Sequence, residues 1–347
     1  MGAIAASDAK ALFTKKLIDV YREKTTPTSF LRSFFKVEET ATKELSIEVQ
    51  RGTEKFAVDV ERGTEGNRNQ FLKSTEKIFV PPFYREYFDA TELSLYDRLF
   101  GSTEIDAGIF SAFLNQVAEK LRTLQDIIER AYEKQCSEVL DTGIVNLTAG
   151  INIDFKRKAG SLVDNSGTPW TGANDPFAQI AAGCKILRQQ GKTMGNTFNL
   201  IVGETALAAF FNNSFVKDTA DIRRIDHVSI RRPQRDSVGG TTHGEFSAND
   251  YNIRLWSYPE FFDDASDVQT PFINPKKAIL LPENPRFILG FAAVPQLLTK
   301  GESVKTGAFI VGDYIDERNA KHVFDIKSAG VAIPVGVDMI YTMQVTA

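Results

Sequence analysis

The 347-residue chain holds only 2 Cys, 2 Trp, 4 Met and 3 His, and each scarcity narrows what it can be. Two cysteines, Cys136 and Cys184, cannot build a disulfide framework. Both fall in helix-like stretches; a single bridge is open, but two buried free thiols in a reducing cytoplasm are the expectation. The histidines, His227, His243 and His322, show no metal-ligand spacing among themselves. No run of about 18 apolar residues occurs, so no segment reads as a membrane-spanning helix. Met1 to Lys10 lacks the basic start and long apolar centre of a signal peptide. Ala6 stands where an N-myristoylation pattern needs Ser or Thr. Net charge is also in short supply. At -4 it gives no overall field to draw the chain to nucleic acid or to an anionic membrane.

What is abundant is phenylalanine, 26 residues of it. Phe adds apolar area without a polar handle, so the chain has large cores or buries much surface between subunits. Strand chemistry without a core of its own occupies Leu45 to Val80. Leu45, Ile47 and Val49 alternate with Ser46, Glu48 and Gln50, and Phe56, Val58 and Val60 alternate with Ala57, Asp59 and Glu61. Polar, turn-prone segments lie between and beyond, at Arg51-Gly52-Thr53 and from Arg62 to Asn69. A two-stranded ribbon is marginal alone in water. Its apolar face therefore needs a partner, and another copy of the chain is the natural one.

Helical patterning places a short amphipathic helix at 7–24, with Leu12, Leu17, Ile18 and Tyr21 on one face. Thr25 to Thr28 breaks it, and Phe30-Leu31-Arg32-Ser33-Phe34-Phe35 forms an apolar anchor. The aromatic stretch Phe83 to Leu99 is expected to be helical in part. From about Asp106, Phe110, Phe113, Leu114, Val117, Leu121, Leu124, Ile128 and Ala131 recur at helical spacing. Glu119, Lys120, Arg122, Glu129, Arg130, Glu133 and Lys134 fall mostly off that stripe. The pattern stops at Thr142-Gly143, a helix C-terminus, after roughly 50 Å of helix. Asn174-Asp175-Pro176 starts a helix that ends near Gly191. A buried strand at Asn199 to Val202 and a helix over Glu204 to Asn212 follow, then short strands and loops from 213 to 300. Tyr251 to Trp256 and Ala278 to Pro282 are strands among them, and Phe324 to Ser328 and Met339 to Val345 return to strand character. Helices and strands come in blocks, which makes this an α+β chain.

No motif carries chemistry. Gln190-Gly191-Lys192-Thr193 imitates the end of a phosphate loop, but Ile186 stands where that loop needs a glycine, so Gly191 reads as a helix cap. His243-Gly244-Glu245 has the H-x-E form of zinc deaminases without their paired cysteines. No G-x-S-x-G elbow occurs, and Glu38-Glu39 and Asp263-Asp264 read as surface carboxylates. Catalytic, metal and cofactor residues are therefore assigned to none. The basic cluster from Ile222 to Asp236 carries Arg223, Arg224, Arg231, Arg232 and Arg235. It lacks the interleaved aromatics of a single-strand binder, and pairing with carboxylates across a subunit contact is expected. Phe56, Val58, Val60, Arg62, Arg68 and Phe71 are the corresponding contact candidates in the ribbon.

Several segments, taken in order, resemble the major capsid proteins of tailed bacteriophages, specifically the lambda-type group known as major capsid protein E. They are Phe30 to Phe35, the turn Ser166-Gly167-Thr168-Pro169-Trp170 before the Asn174 helix start, Phe211 to Asp218, Phe272 to Pro282, and the closing strand Met339 to Val345. Together they cover nearly the whole chain. The resemblance implies the Hong Kong 97-type fold. It divides the chain into an N-terminal arm (1–44), an extended loop (45–80), a peripheral domain (81–173) with a spine helix at about 106–141, an axial domain (174–323), and C-terminal strands (324–347) that rejoin the peripheral domain. It also implies a non-enzymatic subunit that assembles in the host cytoplasm into hexamers and pentamers, and so into the icosahedral head of a virion. The implied partners are copies of itself, a portal, a scaffold, a decoration or cementing protein, and packaged double-stranded DNA held nonspecifically. An encapsulin-like cell compartment and an α+β hydrolase are the alternatives.

Overall fold

The computed structural model describes residues 27–50, 74–91, 107–147, 152–221, 228–264, 266–298, 301–316, 318–319 and 321–347. In chain order, β1 (Phe35–Glu39), β2 (Leu45–Gln50), β3 (Ser74–Phe79) and β4 (Tyr84–Thr91) precede the long helix α1 (Ala107–Asp141). Then come β5 (Ile144–Val145), β6 (Ile153–Asp154), β7 (Leu162–Asp164), α2 (Pro176–Gln190), β8 (Thr197–Val202), α3 (Glu204–Asn212) and α4 (Ser214–Asp221). A run of strands follows: β9 (Val228–Arg235), β10 (Thr241–Ala248), β11 (Tyr251–Ser257), β12 (Phe261–Asp263), β13 (Gln269–Pro271), β14 (Lys277–Pro282) and β15 (Phe287–Phe291). The chain closes with β16 (Val294–Leu298), β17 (Gly301–Lys305), β18 (Ile310–Asp316), β19 (Lys321–Ser328), β20 (Gly330–Pro334) and β21 (Tyr341–Gln344).

The helix boundaries follow their local signals. α1 stops at Gly143, whose φ of +76° is a left-handed conformation that glycine adopts without strain. α2 begins at Asp175, whose Oδ1 accepts the Phe177 N–H at 2.9 Å, with Pro176 as the first helical residue. Two stretches differ from expectation. Residues 84–91 form a strand, because Tyr84 to Thr91 pair antiparallel with Ser328 to Lys321. Residues 214–221, expected among strands and loops, form α4; Asn213 Oδ1 accepts the Phe215 N–H at 2.9 Å, as a helix-capping Asn does.

A seven-stranded sheet, in the order β7-β21-β14-β8-β11-β10-β9, separates two cores. On one face α2, α3 and α4 cover Phe198, Leu200, Ala278, Leu280, Tyr341 and Met343. On the other face Ile201, Ile279 and Leu281 join a second core with the C-terminal half of α1 (Ile128, Tyr132, Cys136, Val139 and Leu140). Burial on both faces explains the apolar runs Leu200-Ile201-Val202 in β8 and Ala278 to Leu281 in β14. Cys136 and Cys184 are free and buried in opposite cores, and burial pushes both thiols up, Cys184 to about 12. β21 pairs with β14 and with β7, the latter within the 81–173 segment that the C-terminal strands were expected to rejoin. The long helix is flanked by two smaller sheets, β1-β15-β20 and β18-β19-β4.

Half-buried Arg157 ties these parts together. Its Nη1 donates to the Leu140 and Asp141 carbonyls, both at 3.1 Å, at the free C-terminal end of α1. Its Nη2 donates to the Ser161 carbonyl (2.8 Å), the Ile340 carbonyl (3.0 Å) and Thr342 Oγ1 (2.9 Å), and its Nε donates to Ser161 Oγ (3.0 Å). Burial pulls its pKa down to about 9, so it remains a cation at neutral pH. Arg157→Met keeps the stem and deletes the donors. It is expected to destabilise the subunit by about 3 kcal/mol, measured by denaturant unfolding, and to raise amide exchange at the end of α1.

Candidate functional site

The contact candidates from the sequence fall in three places. Phe56, Val58, Val60, Arg62, Arg68 and Phe71 of the ribbon, with Arg223 and Arg224, lie outside the described residues. Arg231, Arg232 and Arg235 are exposed on β9, an outer strand of the seven-stranded sheet. Arg235 pairs with Glu260 of its own chain.

The root of the ribbon is described. β2 and β3 pair antiparallel from Leu45 opposite Phe79 to Gln50 opposite Ser74, and together form a two-stranded sheet. Leu45 is buried in the core of α1, and it packs so closely that a Cβ on Gly290 would lie 2.8 Å from its Cδ1. Phe79 packs against Phe155 with ring centroids 5.2 Å apart and the rings tilted by 48°. The root is thus fixed while Ile78 stays 60% exposed. Beside it lies a cavity of about 460 Å³ with an apolar floor of Ile288 and Ile333, and Glu38 and Glu44 among its lining.

A second apolar surface was not found from sequence. β18 is an outer strand of its sheet, and Val311, Tyr314 and Ile315 are exposed on it, Ile315 to 70%. Tyr87 is exposed on the opposite outer strand, β4. Outer strands with apolar side chains are sites of chain-to-chain contact. The available signal was the mixed run Val311-Gly312-Asp313-Tyr314-Ile315, whose exposure depends on which side of β19 it pairs. Behind this surface Asp325, 1% exposed, is held by Arg85 at 2.8 Å and Lys327 at 3.2 Å. The Arg85 guanidinium also lies 6.0 Å from the Tyr314 ring centre.

Groups that could suggest chemistry have structural settings. His243 and His322 lie on strands. His243 Nε2 lies 2.8 Å from Ser257 Oγ, with the Phe211 ring 5.8 Å away, and burial lowers its pKa, which keeps the imidazole neutral. His322 Nε2 meets Asp313 Oδ2 at 3.0 Å. Gly191 caps α2 through its N–H to the Leu187 carbonyl at 2.9 Å. Among the described residues no group of three or more His, Cys, Asp or Glu could hold a metal ion, and no helix is long and apolar enough to cross a membrane.

A long helix against small sheets, a larger sheet faced by short helices, and a ribbon whose described strands join no other described strand are the parts of a Hong Kong 97-type shell subunit. Two solved capsid structures share this arrangement, and an encapsulin is similar at lower score. A capsid protein of a prophage of E. coli CFT073 is similar over 100% of both chains, with a TM-score of 0.60 and 13% identity. The mature capsid of bacteriophage PhiM1 is similar over 94% of this chain and 89% of that one, with a TM-score of 0.50 and 10% identity. The SrpI encapsulin of Synechococcus elongatus PCC 7942 gives a TM-score of 0.49 at 12% identity, over 99% and 96% of the two chains. No curated protein matches the chain. The model of the phage major capsid protein E family matches residues 13–343, and the chain belongs to that family. It is a major capsid protein that forms a phage head shell, a reading the family match supports better than the cell-compartment alternative. If β18 is a contact surface, Ile315→Lys should leave the thermal midpoint of the subunit within experimental error while lowering shell yield, followed by light scattering.

Proposed function

We propose that the ribbon rooted at Leu45 and Phe79 is the extended loop of the shell subunit and lies across a neighbouring copy. The observation that carries it is that, among the described residues, β2 and β3 pair with no third strand while Leu45 at their base is held in the core. A ribbon of about ten residues per strand reaches roughly 35 Å, enough to cross an adjacent subunit. Contacts between unlike surfaces propagate into rings and shells, which fits hexamers and pentamers of one chain. Many modest contacts then suffice, because each is made within an already linked assembly.

The strand pairing supports a division different from one drawn along the sequence. The axial unit is the seven-stranded sheet with α2, α3 and α4, including β21 from the end of the chain. The peripheral unit is α1 with the sheets of β1, β4, β15, β18, β19 and β20. Phe56, Val58, Val60, Arg62, Arg68 and Phe71 serve the ribbon contact, and Arg223, Arg224, Arg231, Arg232 and Arg235 serve contacts of the axial unit. The subunit is not an enzyme and is assembled in the host cytoplasm. A portal, a scaffold, a decoration protein and nonspecifically held DNA complete its partners.

Removal of Gln50 to Lys73 is expected to leave a folded subunit with an unchanged melting transition and to abolish shells in electron micrographs. Normal shells from this deletion would overturn the role given to the ribbon.

A further inference from the structure

The cavity beside the ribbon root has an apolar floor and an acidic mouth. Leu45 and Ile333, both buried, form the floor with Ile288. Ser46 and Ile78 face each other across the ribbon and close one side. Thr40 and Thr42 bring hydroxyl groups to the mouth, and Glu38 and Glu44 are the only charged residues of the lining. Both carboxylates belong to exposed residues. Lys36, which is not part of the lining, meets Glu38 Oε1 at 2.9 Å. Among the described residues no cation pairs with Glu44. The volume of about 460 Å³ lies within the roughly 300–1,000 Å³ of ordinary binding sites. An apolar floor under a carboxylate rim suits a side chain with an aliphatic stem and a cationic head.

We propose that this cavity receives the arginine bulge of β9 from a second copy of the chain. The pairing of β9 with β10 shifts midway: Thr242 lies opposite Gln234, but Gly244 lies opposite Ile230. Arg231, Arg232 and Pro233 thus stand against the single residue His243, and the surplus residues bend this outer strand. Pro233 has no N–H to give to a further strand, so the bulge meets a neighbour through side chains. Arg231 and Arg232 are exposed and, among the described residues, pair with no carboxylate, whereas Arg235 is taken by Glu260. Two free guanidinium groups therefore complement a lining that holds two carboxylates and no cation. Each planar head can bond a carboxylate while its stem covers the apolar floor. Given that the β9 arginines serve subunit contacts, as proposed above, the cavity is the surface they meet. It lies on the β1-β15-β20 sheet, and the bulge lies on the edge of the seven-stranded sheet, so the contact joins unlike surfaces and passes from copy to copy. One exposed ion pair is worth little, but this one also covers apolar surface and repeats throughout a linked shell.

The test exchanges the charges in full-length subunits. Shells are counted in electron micrographs, and the thermal midpoint of each purified subunit is measured beside them. Arg231→Glu with Arg232→Glu should keep the midpoint and lower shell yield by at least about tenfold, because like charges then meet at the rim. Glu38→Lys with Glu44→Lys should do the same. A chain that carries all four changes should recover most of the wild-type yield. Normal shells from the arginine variant overturn the proposal together with the contact role of these two arginines. Normal shells from the glutamate variant, where the arginine variant fails, overturn the proposal alone and leave that role standing. Loss in both variants without recovery in the four-change chain assigns the two surfaces to separate contacts and overturns it as well. If the Glu38 change lowers the midpoint through its Lys36 pair, Glu44→Lys alone takes its place in the same comparisons.

Discussion

The subunit depends on one guanidinium. Arg157 gathers the exposed carbonyls at the end of α1, the turn before β7 and the approach to β21 into a single set of hydrogen bonds. Two further contacts repeat the connection: Thr342 Oγ1 donates to the Leu140 carbonyl at 2.9 Å, and Lys277 Nζ bonds Asp141 at 2.7 Å. The C-terminal end of the long helix is thereby fixed to the seven-stranded sheet, on the face opposite α2 and α3. A helix end without such donors leaves its last carbonyls unpaired, which is costly away from water. The planar, multi-donor geometry of Arg suits the task, and Lys does not share it.

Two cores on either side of one sheet make the subunit internally complete, yet apolar side chains remain outside. Ile78 at the ribbon root and Val311, Tyr314 and Ile315 on β18 have no covering layer among the described residues. For an isolated domain this arrangement would favour aggregation; for a shell subunit it is unfinished surface. The interior polar groups serve a different end. Glu133 and Gln135, both buried on α1, fix backbone that belongs to other elements: Gln135 accepts the Ala332 N–H at 3.2 Å and donates to the Tyr84 hydroxyl at 2.7 Å. The long helix thus positions the Leu31–Arg32 backbone and two sheets through polar side chains, in addition to its apolar stripe.

Local signals were legible where their physics is local. The stop of α1 at Gly143, the start of α2 at Asp175 and Pro176, the helix over 204–212 and the doubly buried strands β8 and β14 all follow from backbone freedom, capping or apolar runs. The strand at 84–91 was not legible. Its alternation is masked because Tyr87 points to solvent while Glu86 is partly buried, and its partner β19 lies more than 200 residues away. Glu133 was placed off the helix stripe, as its charge suggests, because only the distant Leu31 and Arg32 supply the amides that make its burial tolerable. Of the contact candidates, the exposed β9 arginines were legible as charge, while the apolar β18 surface was not.

By itself the sequence determined the class: an α+β chain with a long helix, a ribbon lacking a core, no catalytic constellation and an ordered set of segments resembling phage major capsid proteins. Spacing, capping and composition act within a few residues, so one chain suffices to reveal them. Only the tertiary structure decided that β21 lies between β7 and β14 in the seven-stranded sheet, that one sheet divides two cores, and that Arg157 and Glu133 are joints. Those outcomes depend on which distant strands pair and which backbone groups meet a buried charge. Such meetings exist only once the chain has folded and water has been excluded from the contact.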